Sequence, residues 1–410
     1  MKKIRFFDGF GLLFLALFLL ANPETNVFSS SSLNTNYIPI VFSMPTSTSA
    51  SSGVIISAAE IAKWPTGGTG WNYIKSIADH NDTDPDIDIP DLTNQNNKHN
   101  MKVLAQAIIY ARTGDVTYQS KALEGIMSAK GTERVGADNS ILSLGRQLGG
   151  YVFAADLIKM QTYFPQDYTI FRDWLWNIRT QNLGGHEVFT MLNQTHEQYA
   201  SNWSTFAGAS RIAADAYLLN DPVYAALAKA DLDRAANIFA AWLGNRSKYP
   251  GGGYFKETSG YDPSWSCFPA NWTAVNPPCS KTAPTGEIIN LDGAIVSDIS
   301  RGGAFAATPG EDGVSYSWEG LQGAFVQAEI LYRLYLINPK LYPYPTYDWS
   351  NNALERAMNF MRRINTGWTF SSASRHVPWF ESYRYNSLSP SFAAGAGRVF
   401  GYTDWLLFGK

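Results

Sequence analysis

The feature that most constrains the fold is a recurring junction between amphipathic segments. AIIYARTGDVTYQSKA (107–122) and DAYLLNDPVYAALAKA (215–230) each end a stretch of helical periodicity, turn at Gly114-Asp115 or Asn220-Asp221, and restart at Tyr118 or Tyr224. Turns this short join helices that pack side by side. Asp at the N-cap and Pro222 at the first helical position account for the second restart. The same periodicity predicts helices over His99 to Thr113, Tyr118 to Ala129, Ser140 to Gln161, Asp167 to Thr180, Asn202 to Leu219, Pro222 to Trp242, Trp318 to Ile337 and Asn352 to Ile364. Strand-like alternation is short and rare. An all-α chain of antiparallel helical hairpins is therefore predicted.

The two ends of the chain differ from this body. Residues 1–21 read as a secretory signal: a basic start (Met1 to Arg5) precedes the apolar run GFGLLFLALFLLA (9–21), shorter than the roughly 20 residues a spanning helix needs. An uncleaved anchor is the alternative. Residues 22–52 are dominated by Ser, Thr, Asn and Pro and read as a linker, because such a composition buries too little apolar surface to fold alone. Order is expected from residue 53 to Lys410, opening with Ser57 as N-cap and Glu60 at the third helical position. A secreted protein, or one held at the cell surface, is the implied setting. There Cys267 and Cys279, close together in SWSCFPANWTAVNPPCS, read as a disulfide; a Cys-ligated metal is the alternative, without further Cys or His nearby to complete it.

Charge narrows the partners. Lys plus Arg is 32 against 35 for Asp plus Glu, so no overall field gathers nucleic acid. Membrane contact is expected only through the N-terminal segment, and no cofactor or metal is implied. The run DTDPDIDIPD (82–91) lacks the Gly and terminal Glu of an EF-hand loop and reads as a solvated loop. Long connections at 243–317 and 366–392, rich in Gly, Trp, Tyr, Ser and Pro, are placed where a binding surface is expected.

Six blocks carry a resemblance. SAAEIAKWPTGGTGW (57–71), KHNMKVLAQAIIYARTGDVTYQSKA (98–122), LGRQLGGYVFAADLI (144–158), SNWSTFAGASRIAADAYLLND (201–221), NLDGAIVSDISRGGAF (290–305) and YSWEGLQGAFVQAEILYR (316–333) resemble, in their order and spacing, the alginate lyase-like polysaccharide lyases. The resemblance implies an exported protein built as an α/α toroid, an incomplete barrel of helical hairpins, with long aromatic-rich loops. It also implies β-elimination on a uronic-acid polymer. That chemistry asks for a group that neutralises the sugar carboxylate, a base for the α proton and an acid for the leaving oxygen.

The family pattern assigns the first task to an Asn, often with His and Arg, and the others to Tyr or His. On this chain the positions are Asn202, Arg301 and Tyr316. Where the better-known lyases have Asn followed directly by His, this sequence has Trp203. His196 is the substitute, its ordinary pKa lying close to neutrality; His186, His99 and His376 are weaker rivals. Asn202 also reads as a helix N-cap, and Arg301 as an ion-pair partner of Asp298. Arg146 and Glu319, inside the matching blocks, are expected to meet substrate, and Trp203, Trp265, Trp318 and Trp379 to offer flat rings to a pyranose face. The expected partner is an anionic polysaccharide. Two other functions compete: a hydrolase on a related toroid, drawing two carboxylates from Asp298, Glu311, Asp312 and Glu319, and a catalytically silent polysaccharide-binding or structural surface protein.

Overall fold

Ser57 and Glu60 start the first helix, α1 (Ala58–Ile61), as a reciprocal capping box: the Glu60 N–H donates to Ser57 Oγ at 3.2 Å, and the Ser57 N–H to Glu60 Oε2 at 2.8 Å. The segment before it is held down too, the Val54 N–H donating to Asp156 at 2.8 Å. The computed structural model describes residues 53–185, 189–244, 280–282, 285–299, 311–364, 372–387 and 390–410, and these belong to one unit. The expected signal, the linker, His186, Trp265, Cys267, Cys279 and Arg301 lie outside the described residues.

The described chain is all-α apart from one short ribbon. After α2 (Gly68–Ala78) come α3 (His99–Thr113) and α4 (Val116–Ala129), packed on each other across the predicted turn. Gly114 closes α3 in the left-handed region at φ +75°, where glycine carries no Cβ penalty. Asp115 then caps α4 by accepting the Thr117 N–H at 2.9 Å. The predicted helix 140–161 is broken in two, α5 (Ser140–Leu157) and α6 (Met160–Tyr163), because Lys159 adopts a left-handed φ of +52°. α7 (Pro165–Ile178), α8 (Leu192–Gln198), α9 (Asn202–Leu218) and α10 (Ala225–Trp242) follow. Asp221 is not the cap of α10: it accepts the N–H groups of Val223 and Tyr224 and orders the turn, while Tyr224 takes the cap position and the helix begins at Ala225, beyond the expected start at Pro222.

The antiparallel ribbon pairs β1 (Ser280–Thr282) with β2 (Ile288–Asn290) and leads to α11 (Val296–Ile299) and the long α12 (Glu311–Ile337). In α13 (Trp349–Ile364) Ser350, Asn351 and Asn352 are left-handed, so regular helix starts at Ala353, next to the predicted start. Part of the connection 366–392 is not loop: it contains α14 (His376–Tyr385), which is followed by α15 (Thr403–Phe408). Pro378 is tolerated in α14 because it falls in the first turn.

α9 is the core. It lies against α5 and α12, with α8 and α10 also packed on it, and α3 lies against α5. Residues 201–216 are all buried, and so is every residue of α5 except Asp156. A helix apolar or small on every side can only be an inner one. Truncating Phe206, fully buried on α9, would cost about 3–5 kcal/mol. Among the described residues no helix is long and apolar enough to cross a membrane.

Candidate functional site

Three inner helices bring polar groups to one place because small residues let them close together. A Cβ on Gly145 of α5 would lie 2.9 Å from the Ala207 nitrogen of α9, and one on Gly323 of α12 would lie 2.3 Å from the Thr205 carbonyl carbon. Only glycine allows those approaches. Arg146, next to Gly145, and Glu319, one turn before Gly323, then reach the start of α9. Glu319 Oε2 accepts from Arg146 Nη2 and from Asn202 Nδ2, both at 2.6 Å. Asn202 is thus the first residue of its helix and not the cap: Ser201 holds the cap position. Its backbone N–H donates to Asp298 Oδ1 at 3.0 Å, which places a carboxylate at the positive end of α9.

A second arginine enters from the C-terminal loop. Arg398 Nη1 donates to the Gln95 carbonyl oxygen at 2.8 Å; Arg146 Nη1 donates to the same oxygen at 3.3 Å and to Gln95 Oε1 at 3.1 Å. Asn100 Nδ2, from α3, fixes the loop through the Arg398 carbonyl at 2.6 Å. Burial pulls the Arg146 guanidinium down to about 10; Glu319 opposes the fall and Arg398 adds to it. Burial lowers Arg398 as well, again with Glu319 opposing. At about 10, Arg146 stays cationic at neutral pH. Tyr316 stands one turn before Glu319 on the same side of α12, half-buried and within electrostatic reach of Arg146.

Of the residues expected from sequence, Asn202, Arg146, Glu319 and Tyr316 come together. His196 does not join them. It is fully buried where α8 meets α9 and α12, its Nε2 lying 2.5 Å from where a Cβ on Gly208 would stand, with Gln327 Oε1 beside it. Burial, with the Arg211 cation nearby, holds its ring well below the usual imidazole range, so it is neutral. His99 and His376 are likewise buried, each lowered to about 4 by burial. The expected sugar platforms are mostly packed inward. Trp318 is 1% exposed, Trp203 lies 4.5 Å from Phe189, and Trp379 packs on Phe408 with its indole N–H on the Phe392 carbonyl. Arg398 and Gln95 were not singled out by motif; the only hint was a lone cation in the small-residue run AAGAGRVFG.

The Asp-rich loop is ordered by its own side chains. His80 Nε2 meets Asp82 at 3.0 Å and Nδ1 meets Asp88 at 3.1 Å, a trio whose ligand atoms lie within 4.8 Å of one another. Lys102 Nζ already occupies Asp88 at 2.6 Å, which favours an ion-paired loop over a cation site. No family model matches the chain, and neither a curated protein nor a solved structure matches it.

Proposed function

We propose that this chain is an exported polysaccharide lyase that cleaves a uronic-acid polymer by β-elimination, on a body arranged as an α/α toroid of helical hairpins. The toroid is supported by the serial packing of α3, α5, α9 and α12, with α4 and α10 set against members of that series. The chemistry is supported chiefly by one observation: Arg146 and Asn202 aim N–H groups at a single carboxylate oxygen, with Tyr316 one turn away. Donors already ordered for a carboxylate are what elimination needs, since charge builds on the sugar carboxylate as the α proton leaves.

In this reading Glu319 keeps the two donors oriented, and the sugar carboxylate is taken beside them. Tyr316 removes the α proton and returns one to the leaving glycosidic oxygen, after which the sugar carries a carbon–carbon double bond. Arg301 takes the carboxylate-binding role that the family resemblance gives it. His196, sealed in the core, takes none. No metal or cofactor is invoked. A hydrolase reading would pair Glu319 with Asp298, both in contact with Asn202; Asp298 is fully buried and turned to the backbone of α9, which disfavours it as a group flanking a sugar bond. The test is to incubate the full chain with alginate, glucuronan, pectate, hyaluronan and ulvan in turn. Rising ultraviolet absorbance with one polymer is the result expected. New reducing ends without absorbance would replace elimination by hydrolysis, and neither signal would leave a binding or structural role.

A further inference from the structure

Arg146 and Arg398 share one acceptor, the carbonyl oxygen of Gln95, so their cationic heads are neighbours. Like charges set side by side in a desolvated place repel, and proteins usually relieve this with an acid for each cation. Among the described residues one carboxylate lies between these two: Glu319, which Arg146 touches and Arg398 feels. Asp298, which also meets Asn202, turns Oδ1 to its backbone N–H. The Nε of each arginine is buried without an acceptor, and the Arg146 side chain as a whole is only 5% exposed. The ring of Phe206, 5.2 Å from the Arg146 guanidinium, adds no negative charge that could balance the pair.

We propose that Arg398 and Arg146 form a two-guanidinium receptor for one sugar carboxylate, taken beside Glu319. Guanidinium is suited to the task because its planar fork matches a carboxylate, and one sugar carboxylate added to Glu319 sets two negative charges against the two positive ones. The loop that carries Arg398 is fixed by Asn100, so the receptor stands assembled before ligand arrives. This inference rests on the reading of the ligand as a uronic-acid polymer and adds to it the residue that selects for acid sugars over neutral ones.

The experiment is calorimetric titration of the full chain, wild type, Arg398→Gln and Arg398→Lys, with tetrasaccharides from alginate, glucuronan and pectate and with the same oligomers after reduction of their carboxylates to alcohols. The expected result is that one acidic tetrasaccharide binds the wild type, that Arg398→Gln weakens it about tenfold or more, and that Arg398→Lys recovers part of the loss. The reduced oligomers should bind weakly and alike to all three. Thermal unfolding of each variant separates a lost receptor from a lost fold, and Arg398→Lys carries the test if Arg398→Gln does not fold. Unchanged affinity in a folded Arg398→Gln protein, or equal binding of acidic and reduced oligomers, overturns the receptor. The two readings come apart cleanly: Arg398-dependent binding without absorbance keeps the receptor and removes elimination, while elimination with an unaltered KM in Arg398→Gln does the reverse.

Discussion

α9 carries a polar cluster at its start and another farther along, and they are balanced differently. Toward its C-terminal half, Arg211 and Asp215 join Arg179, Asp231, Glu197 and Arg234, one acid for each arginine. At its start, among the described residues, two arginines share Glu319, while Asp298 at the same helix end is turned to the Asn202 backbone. The first arrangement is closed: Arg179 touches both Asp215 and Asp231, and Arg211 both Glu197 and Asp231, so each buried charge is compensated. The second holds cationic capacity that the described chain does not use up. A matched network in a helical core is a device of structure, whereas an unmatched one at a helix start is suited to an anion from outside.

The sharpest way to break this comparison is to unbalance the matched network. Asp231→Asn leaves Arg211 and Arg179 short of a carboxylate and should lower stability by about 3–5 kcal/mol in urea unfolding. A loss below about 1 kcal/mol would mean the network is not structural. The pH dependence adds a check. Although burial opposes it, Arg211 and Arg179 hold Asp231 down to about 2, against 3.8 for a free carboxyl. A depressed folded pKa gives stability that is present above 3.8 and fades as pH falls through 2. The stability difference between wild type and Asp231→Asn should therefore shrink across that window. Asp215 is pushed the other way, raised by burial and also by Asp231, so Asp231→Asn relieves part of that rise and the Asp215 titration remains in the difference.

At the unmatched cluster the signs should differ between its members. Glu319→Ala removes the acid in contact with Arg146 and is expected to lower stability by about 2–3 kcal/mol. Arg398→Gln removes a repelling charge and should move the unfolding midpoint little, within about 0.5 kcal/mol, or raise it slightly. A large loss on Arg398→Gln would place Arg398 in the same structural class as Arg179 and end the contrast.

The sequence carried more of the helices than of the site. α3 was legible to the residue and the Ser57–Glu60 box to the atom pair, because both depend on neighbours within one or two turns. α14 was hidden in an aromatic run; Val377, Trp379 and Phe380 are buried there by packing against distant chain, which composition does not reveal. Asn202, Tyr316, Glu319 and Arg146, singled out in the sequence from the six short blocks, are brought near one another by α5, α9 and α12. Arg398 was not singled out, since its hydrogen bond to Gln95 joins residues 303 positions apart. His196 illustrates the opposite error: its residue type suited catalysis, but its place on α8 sends the ring into the core.

The most direct test of the central claim is the ultraviolet absorbance of the full chain with each uronic-acid polymer, repeated with Tyr316→Phe. The account predicts absorbance that grows with one polymer and a rate lowered about 10²–10⁴-fold by the substitution, with the unfolding midpoint unchanged. Absorbance that grows equally well without the Tyr316 hydroxyl would contradict it.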